Sequence, residues 1–97
     1  MSFLARFRRQ KEDPEMKRRA RLLRTGRIAE GSVLDVRNDA ASGAITQIFY
    51  HYTVNGVEYE SSQTLDAAQQ QRADEYTPDS RIIIRYDPHQ PANSVVV

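Results

Sequence analysis

Residues Tyr50–Tyr59 read YHYTVNGVEY, and the spacing within this run decides the fold. Aromatic and β-branched residues alternate with polar ones up to Val54, the two-residue period of a strand with one buried face. Asn55-Gly56 then supplies what a type I′ turn requires, because both of its central residues take positive φ. From Val57 the chain returns antiparallel. A two-residue turn fixes the register: Val54 opposes Val57, Tyr52 opposes Tyr59, and His51 opposes Glu60. One face of the hairpin carries Tyr50, Tyr52, Val54, Val57 and Tyr59 toward a core. The other carries His51, Thr53, Glu58 and Glu60 toward solvent.

Working outward, Gly31–Arg37 (GSVLDVR) reads as a strand before the hairpin, joined to it by the polar turn Asn38–Gly43. Leu65–Tyr76 is rich in Ala and Gln and has no β-branched residue, which predicts a short helix with Thr64 as its cap. Arg81–Tyr86 is a further strand, with Ile82, Ile84 and Tyr86 on one face and Arg81, Ile83 and Arg85 on the other. Asp87-Pro88 and Pro91 make a stiff turn, and Ser94–Val97 closes as a short apolar strand. The order strand, strand, strand, helix, strand, strand is that of an OB-like barrel. An SH3-like barrel or a curled antiparallel sheet shares most of that order. The expected fold is therefore mainly β, a small five-stranded OB-like antiparallel barrel with a basic helix at its N-terminal side.

The N-terminal side is set apart by charge. Residues 1–27 hold ten of the fourteen Lys and Arg and only three acids, a net of +7. Residues 28–97 hold four basic and ten acidic residues, a net of −6. Residues 1–13 form a flexible basic arm in which Phe3, Leu4 and Phe7 stand among Arg6, Arg8, Arg9 and Lys11. Residues 14–26 follow as a helix: Asp13 as N-cap, Pro14 at the first helical position, Glu15 in the first turn, Gly26 as the stop. Met16, Ala20 and Leu23 make one apolar stripe on a surface crowded with Lys17, Arg18, Arg19, Arg21 and Arg24. The barrel occupies 27–97, and this pattern treats the cationic extension as a docking device that does not help to build it.

Gly31 and Val33, then Tyr50, Tyr52, Val54, Gly56 and Tyr59, then Tyr86, Asp87, Pro88 and Pro91 resemble the pattern of the bacterial domain-of-unknown-function 3592 family. The likeness spans about Gly26 to Val97. It implies a small β-barrel and a membrane-proximal setting, since many members carry membrane-spanning helices beside the barrel. It supplies no catalytic residues. The chain departs from the pattern in two places: its flanking helix is far too polar to span a bilayer, and Asp79-Ser80 stands where the family tends to have glycine.

Other chemistries find little footing. There is no cysteine, hence no disulfide or thiolate metal site. His51 and His89 sit in different elements, the first as a surface cross-strand partner of Glu60, the second in a solvated turn. Tyr50, Tyr52, Tyr59 and Tyr86 share the parity of the core, so they serve as buried rings with polar tips rather than as a base-stacking platform. No Gly-rich phosphate loop, nucleophile elbow or paired-histidine motif occurs, and Ser61-Ser62 has no histidine on its own face. Met1–Lys11 carries charge but no apolar run of signal-peptide length, and no stretch approaches the roughly 18–20 apolar residues of a span, so neither a signal peptide nor a membrane span is expected.

The expectation is a non-enzymatic interaction or accessory module without cofactor or metal, cytoplasmic and peripheral to the inner membrane. It would contact an anionic membrane surface or a membrane protein through Phe3, Leu4, Arg6, Phe7, Arg8, Arg9, Lys11, Lys17, Arg18, Arg19 and Arg21. Nucleic acid binding by the same arm is the alternative; it would be non-specific and strongly salt-dependent.

Overall fold

The computed structural model describes residues 13–97. Five antiparallel strands form a nearly closed barrel: β1 (Arg27–Asn38), β2 (Ile45–Val54), β3 (Val57–Thr64), β4 (Arg81–Asp87) and β5 (Gln90–Val96). Helix α1 (Pro14–Thr25) precedes β1. Two short pieces, α2 (Ala67–Gln70) and a 3₁₀ turn (Ala73–Tyr76), lie between β3 and β4. The sheet order is β3-β2-β1-β4-β5, so β1 is central and β3 and β5 are the two edges.

The hairpin follows its sequence. Asn55 and Gly56 take φ of 51° and 80°, and Val54↔Val57, Tyr52↔Tyr59 and His51↔Glu60 pair as expected. Tyr50, Tyr52 and Val54 are buried, but Val57, at the start of edge strand β3, is exposed. Strand β1 is longer than its apolar run suggests. Its first half, Arg27–Ser32, pairs with β4, and its second, Gly31–Asn38, pairs with β2. Between Val33 and Asp35 the register shifts by a bulge at Leu34. Without it Val33 and Val36 would face opposite ways; with it both turn to the core while Leu34 stays outside.

The expected helix over Leu65–Tyr76 is broken in two, and Asp66 rather than Thr64 caps it. Asp66 accepts the Gln69 backbone N–H at 2.8 Å while the Gln69 side chain accepts from the Asp66 N–H at 3.1 Å, a reciprocal capping box. Thr64 is instead the last residue of β3. Leu65 and Tyr76, one at each end of the connection, close one end of the core.

That core is built from Val33, Ile48, Tyr50, Tyr52, Val54, Ile82, Ile84 and Val96 together with Leu65 and Tyr76. Of the four tyrosines assigned to the core by parity, Tyr50 and Tyr52 are buried and Tyr59 and Tyr86 partly buried. Tyr50 and Ser94 share a hydrogen bond between hydroxyls at 2.7 Å, and the Tyr52 hydroxyl donates to the Pro91 carbonyl, whereas the buried Tyr76 hydroxyl has no partner among the described residues. Both bonds cross from β2 to β5, and they tie the interior together where no backbone ladder joins β3 to β5.

The seam between those two edges is closed by side chains. The Val96 N–H donates to Gln63 Oε1 at 2.9 Å, and the Val96 carbonyl accepts from Gln63 Nε2 at 3.3 Å and Gln69 Nε2 at 3.0 Å. Gln63 thus stands in for the neighbouring strand that Val96 lacks, offering one donor and one acceptor from a single amide. Both glutamines are buried. Gln63→Ala strips the Val96 N–H of its acceptor inside the protein, so it should lower the unfolding free energy by about 1–3 kcal/mol. The readout is a reduced urea midpoint with an unchanged slope.

Candidate docking surface

Helix α1 begins as its sequence directs. Asp13 accepts the Glu15 N–H at 2.9 Å, and Pro14 fills the first position, where a missing N–H costs nothing. At the other end the Gly26 N–H donates to the Leu22 carbonyl at 2.8 Å. Gly26 is needed there for space rather than for an unusual φ, since its backbone is extended at φ −71°. A Cβ at this position would meet the Leu22 carbonyl oxygen at 2.6 Å and the Arg85 Cβ at 3.1 Å. The close approach lets Arg85 Nη1 donate to the Gly26 carbonyl at 2.9 Å and brings the helix end onto β4.

The face that docks is not the Met16–Ala20–Leu23 stripe. Leu22 is the buried residue of the helix, 3% exposed. It and Val95 of β5 are the buried hydrophobic residues that stand apart from the barrel core. One leucine and two arginines hold α1 down. Arg18 Nη1 donates to Asn93 Oδ1 and to the Ser94 carbonyl, both at 2.8 Å. Arg19 Nη2 donates to the Thr64 carbonyl at 3.0 Å. Helix α1 therefore reaches both strands of the seam, β5 through Arg18 and β3 through Arg19, and contributes to barrel closure. The extension helps to build the fold, contrary to the expectation drawn from charge alone.

Glu15 orders both guanidinium groups. Its two carboxylate oxygens accept from Arg18 Nε and Nη2 at 2.9 Å each, the bidentate fork that arginine favours. Arg19 Nε donates to the second oxygen at 2.7 Å. The hydrogen bond from Arg18, reinforced by that from Arg19, brings the Glu15 carboxyl down from 4.5 to about 2. The same pairing raises Arg18 above its ordinary value.

With Leu22, Arg18 and Arg19 turned to the barrel, the opposite face looks outward. Met16 is 69% exposed and Leu23 46%. Ala20, Lys17, Arg21 and Arg24 are exposed as well. Among the described residues, no ion pair involves Lys17, Arg21 or Arg24. The outcome is a mixed cationic and apolar face about two turns long. Of the contact residues expected from sequence, Lys17 and Arg21 lie on it; Arg18 and Arg19 are engaged in holding the helix. Phe3, Leu4, Arg6, Phe7, Arg8, Arg9 and Lys11 lie outside the described residues. Beside the helix C-terminus, a cleft of about 320 Å³ runs between Arg21 and Thr25 on one side and Asp87, Pro88 and His89 on the other.

A family model described as a domain of unknown function, DUF3592, matches residues 24–97. The chain belongs to this family. The matched region is the barrel from its first strand to its last, and nearly all of α1 precedes it. No curated protein and no solved structure matches the chain. No helix among the described residues is long and apolar enough to cross a membrane, and no group of three metal-ligating side chains occurs among them.

Two outcomes check this account of the helix. Arg18→Ala leaves the Ser94 carbonyl without its side-chain donor and Glu15 with Arg19 alone, and should cost about 1–3 kcal/mol in chemical denaturation, whereas Arg21→Ala should be near neutral. Glu15, with its folded value below its ordinary one, contributes stability above pH 4.5 that is lost as pH falls toward about 2. The carboxylate is half exposed, so the contribution is small. Glu15→Gln should accordingly flatten the fall of melting temperature across that acid window, while changing its course above it little.

Proposed function

We propose that this chain is an interaction module that docks on an anionic membrane surface through the outward face of α1 and the basic segment before it. One observation carries the reading. The helix is anchored by Arg18, Arg19 and Leu22, which leaves Met16, Ala20 and Leu23 exposed among Lys17, Arg21 and Arg24. Exposed apolar side chains interleaved with cations are the composition of an interfacial helix. A helix so fixed meets a flat surface already ordered, which reduces the entropy lost on binding.

The magnitudes favour a two-part attachment. Each cation near an anionic leaflet contributes about 1 kcal/mol, so Lys17, Arg21 and Arg24 alone give binding weaker than about millimolar. Arg6, Arg8, Arg9 and Lys11 bring the sum to about 7 kcal/mol, a dissociation constant of about ten micromolar. Insertion of Met16, Leu23, Phe3 and Phe7 would strengthen it further. The barrel supplies the rigid support. We read its strand neighbours, β1-β2-β3 and β1-β4-β5 with β3 facing β5, as support for an OB-like barrel, and the family likeness as support for a bacterial, membrane-peripheral setting. Nucleic acid is the competing partner for the same cations, but the acidic strands beside them oppose its approach.

Sedimentation with vesicles tests the proposal. The protein should pellet with phosphatidylglycerol-containing vesicles and remain in solution with pure phosphatidylcholine. Met16→Ser with Leu23→Ser, or Lys17→Glu with Arg21→Glu, should release it without lowering the melting temperature. Equal partition to both vesicle types, or binding to oligonucleotides that survives the Met16 and Leu23 changes while vesicle binding is absent, would overturn it.

A further inference from the structure

On the face of the sheet away from the core, pairing places Arg81, Ser32 and His51 in one row across three strands. Ser32 of β1 lies opposite His51 of β2 and, on its other side, opposite Arg81 of β4. His51 reaches diagonally to Glu58 of β3. Ser32 Oγ and His51 Nε2 are 2.7 Å apart, and His51 Nδ1 and Glu58 Oε1 are 2.8 Å apart. A carboxylate can only accept, so Nδ1 carries the hydrogen; in the neutral ring this leaves Nε2 as the acceptor for the Ser32 hydroxyl proton. Ser32 and His51 also line a cleft of about 370 Å³, with Gly31, Thr53, Asp79 and Arg81 on its walls. At Gly31 a side chain is excluded, because a Cβ would collide with the His51 carbonyl.

From this geometry we infer that Ser32 is an activated nucleophile, with His51 as its general base and Glu58 as the positioning residue, able to accept an acyl group from a small carboxylic ester. The arrangement meets the criterion for such a site: hydroxyl and base within hydrogen-bond reach, and the base oriented by a third group. In the first step the Ser32 Oγ–carbonyl carbon bond forms and the bond to the leaving alkoxide breaks. The Ser32 proton passes to His51 Nε2 and then to the departing alkoxide. In the second step water gives a proton to His51 and attacks the ester on Ser32; that proton returns to Oγ, releasing the acid. Arg81, on the cleft wall beside Ser32, supplies positive charge for the oxygen that becomes negative in each step. Glu58 is largely exposed, so water screens the ring and turnover is slow. This inference uses the sheet face and is independent of docking through α1.

Incubating the intact protein with p-nitrophenyl acetate, followed by peptide mass spectrometry, decides the matter. The expected result is an acetyl group on Ser32 that Ser32→Ala abolishes, with circular dichroism confirming that the variant is folded. His51→Ala should slow acetylation of Ser32 about a hundredfold. Glu58→Gln, at an exposed position, should slow it about tenfold with no change in melting temperature, and Glu58→Asp should restore part of the rate. Acetyl groups on lysines alone, or Ser32 acetylation at equal rates in His51→Ala and the unaltered protein, would overturn the inference.

Discussion

A five-stranded sheet that curls on itself must satisfy two rows of edge amides, and here the backbone does not do it. The ladder runs from β3 through β2, β1 and β4 to β5 and stops. A buried edge group without a partner costs about twice what an ordinary hydrogen bond contributes, so closure depends on side chains that imitate a strand. Gln63 and Gln69 serve Val96; Arg18 serves Ser94; Arg19 serves Thr64. The positions of α1, of the broken connection after β3 and of the terminal valines all follow from those bonds. Tyr50 and Tyr52 reinforce the same seam from within.

Much of this architecture was legible in the sequence because local chemistry left few choices. Asn55-Gly56 allowed one turn and hence one register, and strict alternation in β2 and β4 named the buried residues. Asp13-Pro14 placed the start of α1 to the residue. The failures have physical causes too. A stripe at helical spacing predicts a buried face only when burial of apolar area holds the helix; α1 is held by one leucine and by guanidinium groups, so the stripe looks outward. Thr64 and Asp66 are both competent caps, and strand pairing took the first. Gln63 and Gln69 look solvent-facing in any composition-based reading, yet they are among the most enclosed polar residues.

The outer row of Ser32, His51 and Glu58 was hidden for a different reason. Its members lie on three strands, and the loop from Asp39 to Ala44 leaves the β1–β2 register undetermined, whereas the β2–β3 register is set by its turn. The bulge at Leu34 then breaks the parity along β1. His51 opposes Glu60 as its spacing requires, yet its ring turns along the diagonal to Glu58, a choice made by side-chain reach rather than by pairing. Among the expected contact residues the division is similarly unreadable from charge: Arg18 and Arg19 face inward and Lys17 and Arg21 outward because of helix phase.

The family region begins at residue 24, within the last turn of α1 and after both arginines that grip the seam. A recombinant fragment trimmed to that boundary would carry the whole barrel and yet leave the Thr64 and Ser94 carbonyls bare. Bare strand margins recruit other strands, so such a fragment would gain a tendency to associate that the longer chain suppresses. The family region and the stretch of chain that covers these strand margins are therefore of different lengths.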